Sequence, residues 1–161
     1  MKVTFTGHRP EKTQNTKAIK SRILKALTAR LGNLNEHTYV VGGCPGFDTL
    51  ALQVLLENNV PKTQITLAVP FRGFEKMAGF KHPKENLETY TFNYTCGVPV
   101  KEVGGIDGNF AKKCLTRNAF LVDNGDIIFT NWDGSTGGTA NTVKLATKKG
   151  IPIVNVEDSA K

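Results

Sequence analysis

Three glycine-bearing turns carry the residue types that could hold a charged ligand. They read Thr6-Gly7-His8-Arg9-Pro10, Gly42-Gly43-Cys44-Pro45-Gly46-Phe47-Asp48 and Gly134-Ser135-Thr136-Gly137-Gly138-Thr139. Glycine lets backbone approach a ligand closely, and a helix that follows starts with unpaired N–H groups that favour an anion. In the first turn Gly7 permits a tight bend, Arg9 offers a planar fork of donors to a phosphate, and His8 can donate to a phosphate or meet a base. In the second, Gly42, Gly43 and Gly46 shape a backbone cradle, and Asp48 reads either as a helix N-cap or as an acceptor for a ribose hydroxyl. In the third, Ser135, Thr136 and Thr139 add hydroxyl groups, and Gly137-Gly138 gives the close approach. Trp132, the one tryptophan, reads either as a platform for a nucleobase or as an aromatic capping the core. Arg117-Asn118 lies in a helical segment and points to solvent or to the same crevice; spacing leaves both open. The chemistry implied is recognition of a phosphate-bearing small molecule. The loops are neither a G-x-G-x-x-G fingerprint nor a Walker A loop.

The elements that must position these turns alternate from end to end. Val3–Thr6 reads as a first strand, and residues 13–31 as a helix with the stripe Ile19, Ile23, Leu24, Leu27, Leu31, closed by Gly32-Asn33. Thr38–Val41 is a second strand, ending at Gly42-Gly43. Leu50, Ala51, Val54 and Leu55 face the core from the next helix, and Gln64–Val69 is a third strand stopped by Pro70. Residues 71–97 read as a loop and then a helix from Pro83 to about Tyr94. Val98–Val103 is a fourth strand. Residues 109–123 form a helix with Phe110, Cys114, Leu115, Ala119 and Val122 on its inner side. Ile127–Thr130 is a central strand, Thr139–Lys149 a helix capped by Gly150, and Ile151–Val156 the last strand. Val/Ile/Phe-rich strands without strict alternation suit a sheet covered on both faces. The fold class predicted is a Rossmann-like three-layer α/β/α sandwich with a mostly parallel sheet. In such a sheet the strand ends share one edge, so three turns can meet in one crevice.

A chain of 161 residues with 39% apolar and 22% charged content reads as one globular domain, 1–161. No apolar run is long enough for a membrane span. Met1–Phe5 enters a strand pattern directly, which predicts a cytoplasmic protein, with the last five residues frayed. Cys44, Cys96 and Cys114 form neither a disulfide framework nor a zinc site, and no metal is expected. Cys114 reads as a small core residue. Cys44, inside the second turn, lacks an identifiable basic partner and reads as structural. The net charge of +7 gathers at Lys12, Lys17, Lys20, Arg22, Lys25 and Arg30, and again at Lys112, Lys113, Arg117, Lys144, Lys148 and Lys149. It fits a solvated face, a field focused on an anionic metabolite, or a nucleic-acid groove.

Taken together these segments resemble the SLOG superfamily, a Rossmann-like nucleotide-binding group that includes the LOG phosphoribohydrolases and the DNA-processing protein DprA. The likeness is to its YpsA-like branch. It rests on T-G-H-R-P after the first strand, G-G-x-x-G-x-D after the second, Arg117-Asn118 ahead of the strand 126–130, and W-D-G-S-T-G-G-T-x-x-T ending at Thr142. The resemblance implies a nucleotide or a nucleotide-derived signal, such as an ADP-ribose relative, bound by Gly7, Arg9, Gly43, Gly46, Asp48, Arg117, Gly137, Gly138 and Thr139. It also implies a homo-oligomer. LOG enzymes carry P-G-G-x-G-T-x-x-E, whose glutamate assists cleavage of an N-glycosidic bond. Thr142 stands at that position here, so a sensor or sequestering protein is expected rather than a hydrolase. Asp48 and Asp133 are the substitute carboxylates for a nucleotide N-glycosidase, and a DprA-like single-stranded DNA binder is the second alternative.

Overall fold

The computed structural model describes residues 1–9, 15–77 and 81–157. Pro10, Lys12, residues 13–14 of the first helical segment and residues 158–161, part of the tail expected to fray, lie outside these. The elements are β1 (Lys2–Gly7), α1 (Thr16–Leu31), β2 (Thr38–Val41), α2 (Phe47–Glu57), β3 (Ile65–Val69), α3 (Pro83–Thr95), β4 (Val100–Glu102), α4 (Phe110–Asp123), β5 (Ile127–Asn131), α5 (Gly138–Lys149) and β6 (Ile153–Asn155). The third, fourth and last strands are shorter than expected. Gln64 closes a 3-10 turn before β3, and Val98 and Ile151 precede their ladders.

All five strand pairings are parallel, in the order β4-β3-β2-β1-β5-β6. The chain winds outward from β1 to β4, then crosses back to place β5 on the other side of β1. The winding direction therefore reverses between β1 and β5, where adjacent turns diverge and leave a crevice. β5 is interior, between β1 and the edge strand β6, while β1 and β2 hold the centre. Right-handed crossovers put α1, α2 and α3 on one face and α4 and α5 on the other. The fold is a Rossmann-like three-layer α/β/α sandwich.

The two faces are packed unequally. Val3 and Phe5 of β1, Tyr39 and Val41 of β2, and Ile127 and Phe129 of β5 join Ile19, Ile23 and Leu27 of α1 and Phe47, Ala51 and Leu55 of α2 in one large cluster. Phe5 is its hub, with ring centroids 6.3 Å from Tyr39, 6.5 Å from Phe47 and 6.1 Å from Phe129. Truncating such a buried ring costs about 3–5 kcal/mol. Beneath α4 and α5 the apolar cluster is only Val122, Ile128 and Ala146, with Leu145, Ile151 and Ile153 beside it. The strand residues on that face include Thr4, Thr6 and Thr130, all buried.

Helix α4 corrects the expected face. Leu115 is half exposed, and Cys114 and Ala119 are only partly buried. Arg117, Asn118, Leu121 and Val122 are the buried residues. An apolar stripe is a poor guide here because this helix packs partly against a polar cavity.

Candidate functional site

The crevice between β1 and β5 is a cavity of about 390 Å³ lined by Thr6, Gly7, His8 and Arg9 after β1, Cys44 and Asp48 near α2, Cys114, Arg117, Asn118 and Leu121 of α4, and residues 135–139 leading into α5. Backbone bonds lock its walls. His8 N–H donates to Asn131 O at 3.2 Å, and Phe47 N–H donates to His8 O at 3.0 Å. Across the mouth, His8 Nε2 lies 2.9 Å from Asp133 Oδ1 and 3.0 Å from Asp133 N. One ring nitrogen donates to the carboxylate or accepts from the amide, never both at once.

Two glycines make this convergence possible. Gly7 is needed for close approach rather than for a tight bend: a Cβ there would sit 2.5 Å from the Phe47 ring. Gly46, the N-cap of α2, has φ of 101°, and a Cβ would meet the His8 carbonyl at 2.6 Å.

The anion cradle differs from the expectation. In the second turn, Cys44 N–H donates to Asp48 Oδ2 at 3.2 Å and Phe47 N–H is spent on His8. Gly42, Gly43 and Gly46 shape the loop but do not line the cavity. Asp48 is not the N-cap; that is Gly46, and the Asp48 side chain folds back onto the loop. The first turn has likewise spent the His8 amide. The third turn retains its capacity: α5 begins at Gly138 with no side-chain cap and no acidic residue in its first turn. Gly137, Gly138 and Thr139 at its start line the cavity beside Ser135 and Thr136, and the leading N–H groups of a helix favour an anion.

Arg117 supplies the charge. It is 5% exposed and reaches across the strand ends. Nη1 donates to Gly42 O at 2.5 Å and Ala68 O at 3.4 Å, Nη2 to Cys44 Sγ at 3.2 Å, and Nε to Asn118 Oδ1 at 3.2 Å. The guanidinium also lies 5.6 Å from the centre of the Phe74 ring. These four acceptors include no carboxylate. Burial disfavours the guanidinium charge, Cys44 and Asp48 favour it, and the net direction of its pKa is upward. Cys44 therefore does have a basic partner. Its thiol is nonetheless pushed up by burial, which outweighs the pull of Arg117, so it is no activated nucleophile. Burial likewise raises the Asp48 carboxyl to about 6, against the lowering effect of Arg117 and the Cys44 amide.

Trp132 does not line the cavity; its indole N–H donates to Ser135 O at 2.8 Å and so braces the third turn. Asp133 is at the mouth, where its Oδ1 also accepts Ser135 N–H at 2.9 Å. Thr142 is buried and donates to Gly138 O at 3.2 Å. Thr6, Cys44, Cys114 and Leu121 line the cavity without having been marked as ligand contacts. Cys114 and Leu121 flank Arg117 at helical spacing, a signal the sequence did contain. Of the expected basic cluster, Lys12 lies outside the described residues, Lys20 pairs with Glu57 at 2.5 Å, and Lys17, Lys20, Arg22, Lys25 and Arg30 do not line this crevice.

Behind the cavity lies a polar network that the sequence did not reveal. Glu75 is fully buried and accepts from Asn93 Nδ2 at 2.8 Å and Tyr94 Oη at 3.0 Å, and Asn93 Nδ2 also reaches Gly43 O at 3.0 Å. It ties α3 and the segment carrying Phe74 to the second turn, and so supports the ring under Arg117.

No family profile matches the chain. A curated relative is the uncharacterised SPbeta prophage-derived protein YoqJ of Bacillus subtilis, 24% identical over 138 residues, 81% of either chain. Two solved structures share the fold. DNA processing protein A from Helicobacter pylori, described for its single-stranded DNA binding mode, has a TM-score of 0.59 and 17% identity, covering 99% of this chain and 70% of its own. DNA processing protein A (DprA) from Streptococcus pneumoniae has a TM-score of 0.65 and 19% identity, covering 94% and 48%. This chain thus spans about half of the latter protein. Among the described residues no helix is long and apolar enough to cross a membrane.

Proposed function

We propose that the cavity between β1 and β5 binds the phosphate of a nucleotide or nucleotide-derived small molecule, such as an ADP-ribose relative, and that the chain is a single SLOG-like domain of the YpsA-like kind acting as a sensor or sequestering protein. The observation that carries this reading is Arg117, a buried guanidinium in the cavity wall whose hydrogen-bond acceptors among the described residues are all neutral, with the Asp48 carboxyl near it but not bonded to it. A cation removed from water in this way favours an anionic partner. The uncapped N-terminus of α5 opens into the same space and offers the hydrogen bonds a phosphate needs. Calorimetry with AMP, NAD and cyclic ADP-ribose isomers tests the reading. Saturable binding that Arg117→Ala weakens is the expected result; no binding at millimolar ligand overturns it.

Binding without hydrolysis is the form the reading takes, because Thr142 is occupied by its own helix and offers no carboxylate. Incubation with nucleoside monophosphates, followed by chromatography for free base, checks this. Release of base that Asp48→Asn or Asp133→Asn abolishes would make the protein a nucleotide N-glycosidase instead.

A second reading, a single-stranded DNA binder, is favoured by a separate observation: both solved neighbours are DNA processing proteins. The comparisons support the strand over a metabolite, and the net charge of +7 is compatible with it. The cavity of about 390 Å³, lined by Arg117 and the start of α5, supports the nucleotide. Fluorescence anisotropy with a labelled oligonucleotide separates them. A strand held along the surface shows affinity falling steeply with salt and resisting competition by AMP.

A further inference from the structure

We propose that the cavity takes up its anion together with a proton, and that Asp48 is the group that carries the proton. The inference rests on the anion-site reading above and concerns how that same site is controlled.

Asp48 is 5% exposed and lines the cavity from the base of α2. Its hydrogen bonding is incomplete: Oδ2 accepts the Cys44 N–H, and among the described residues buried Oδ1 has no hydrogen-bond partner. A carboxylate normally takes several donors when removed from water, and one this poorly served is cheaply neutralised. Among the described residues, the charged and titratable groups facing the cavity beside it are Arg117 and Cys114 from α4, Cys44 from its own loop, and His8 and Arg9 from the turn after β1, with Asp133 at the mouth against His8. Residues 135–139, leading into α5, include no charged or titratable side chain. Burial raises the Asp48 pKa, and Arg117, the hydrogen bonds from Cys44 and then Arg9 lower it, so these groups together favour its charge.

An incoming anion changes that balance. It shares the field of the same guanidinium and adds a negative charge inside a space of about 390 Å³. Charges that close lie within a Debye length, about 10 Å at 0.1 M salt, and low-dielectric walls screen them still less. The carboxylate is then destabilised and protonates. Because burial already raises the Asp48 carboxyl to about 6, a modest further rise brings the step into the neutral range.

Linkage fixes the form of the pH dependence. Affinity is greatest below the free-state pKa, falls as pH rises towards the bound-state pKa, and is flat beyond it. A shift of one unit corresponds to about a tenfold loss.

The test uses the full chain and inorganic sulfate, whose charge does not change across this range. Calorimetric titrations at pH 7 in two buffers of different ionisation enthalpy report protons taken up directly, with no variant required. Between pH 5.5 and 8.5 the wild-type affinity is expected to fall by about tenfold or more. Asp48→Asn is expected to bind at pH 8 as tightly as wild type does at acid pH. His8→Gln removes the imidazole at the cavity mouth and is expected to keep the slope. Sulfate binding with no proton uptake, or a slope that survives in Asp48→Asn and disappears in His8→Gln, overturns the proposal while leaving the anion site intact. No sulfate binding at any pH overturns both.

Discussion

The Arg117 guanidinium donates to the Gly42 carbonyl at 2.5 Å, joining the middle of α4 to the end of β2 across the mouth of the sheet. The same side chain reaches Ala68 O, Cys44 Sγ and Asn118 Oδ1. One residue thus braces three segments and lays a fixed positive charge in the cavity wall.

That dual role makes Arg117 substitutions informative as a pair. Arg117→Ala orphans the Gly42 carbonyl, and each buried group left unpaired costs about 1–3 kcal/mol, so urea denaturation should show a clear loss. Arg117→Lys keeps the charge but lacks the fork that spans four acceptors. It is expected to recover part of the anion affinity and little of the stability.

Gly138→Ala separates binding from folding. A Cβ at Gly138 meets nothing within 4 Å, and the residue begins α5. Stability is expected to stay within about 0.5 kcal/mol of wild type. The added methyl crowds the open amides of the helix end, so nucleotide affinity should fall by about tenfold or more, equivalent to at least ~1.4 kcal/mol. Paired thermal denaturation and calorimetry check both halves.

Gly7→Ala is expected to do the reverse of a benign substitution. Its Cβ would lie 2.5 Å from the Phe47 ring, which belongs to the main core and cannot swing aside. Overpacking of this kind costs about 1–3 kcal/mol, measurable as a lower urea midpoint with an unchanged slope.

Asp48 predicts a pH dependence of stability in the ligand-free protein. Its folded pKa, about 6, lies above the ordinary value of 3.8, so the folded state binds the proton more tightly than the unfolded chain. The sign follows directly: this group's contribution is most favourable below pH ~4 and is lost as pH rises through 6, an effect on the order of 3 kcal/mol at 1.36 kcal/mol per unit. Asp48→Asn should flatten that limb and gain stability at pH 8 relative to wild type. Urea denaturation from pH 4 to 8 measures it.

The strand and helix order was legible because β-branched and aromatic runs end at glycine or proline, as Val40-Val41 does at Gly42-Gly43 and Val69 does at Pro70. Those stops also located the turns that converge. What the sequence could not disclose was which backbone amides remain unspent. Cys44 N–H goes to Asp48 and Phe47 N–H to His8, partners set by tertiary geometry, so three apparent cradles reduce to the one at α5. The inner face of α4 was misread for a related reason. An apolar rule favours Leu115, whereas the helix buries Arg117 and Asn118 against a polar cavity. The Glu75–Asn93–Tyr94 network left no trace either, because Glu75 stands 18 residues before Asn93 and no motif links them.

The central claim is that one cavity, floored by Arg117 and opened by the first turn of α5, holds a nucleotide phosphate. Amide ¹H–¹⁵N spectra recorded during titration with AMP test it most directly. The account predicts saturable shifts that are largest at Gly137, Gly138 and Thr139 and abolished by Arg117→Ala. Shifts confined to the lysine-bearing surface of α1, or none at millimolar AMP, would contradict it.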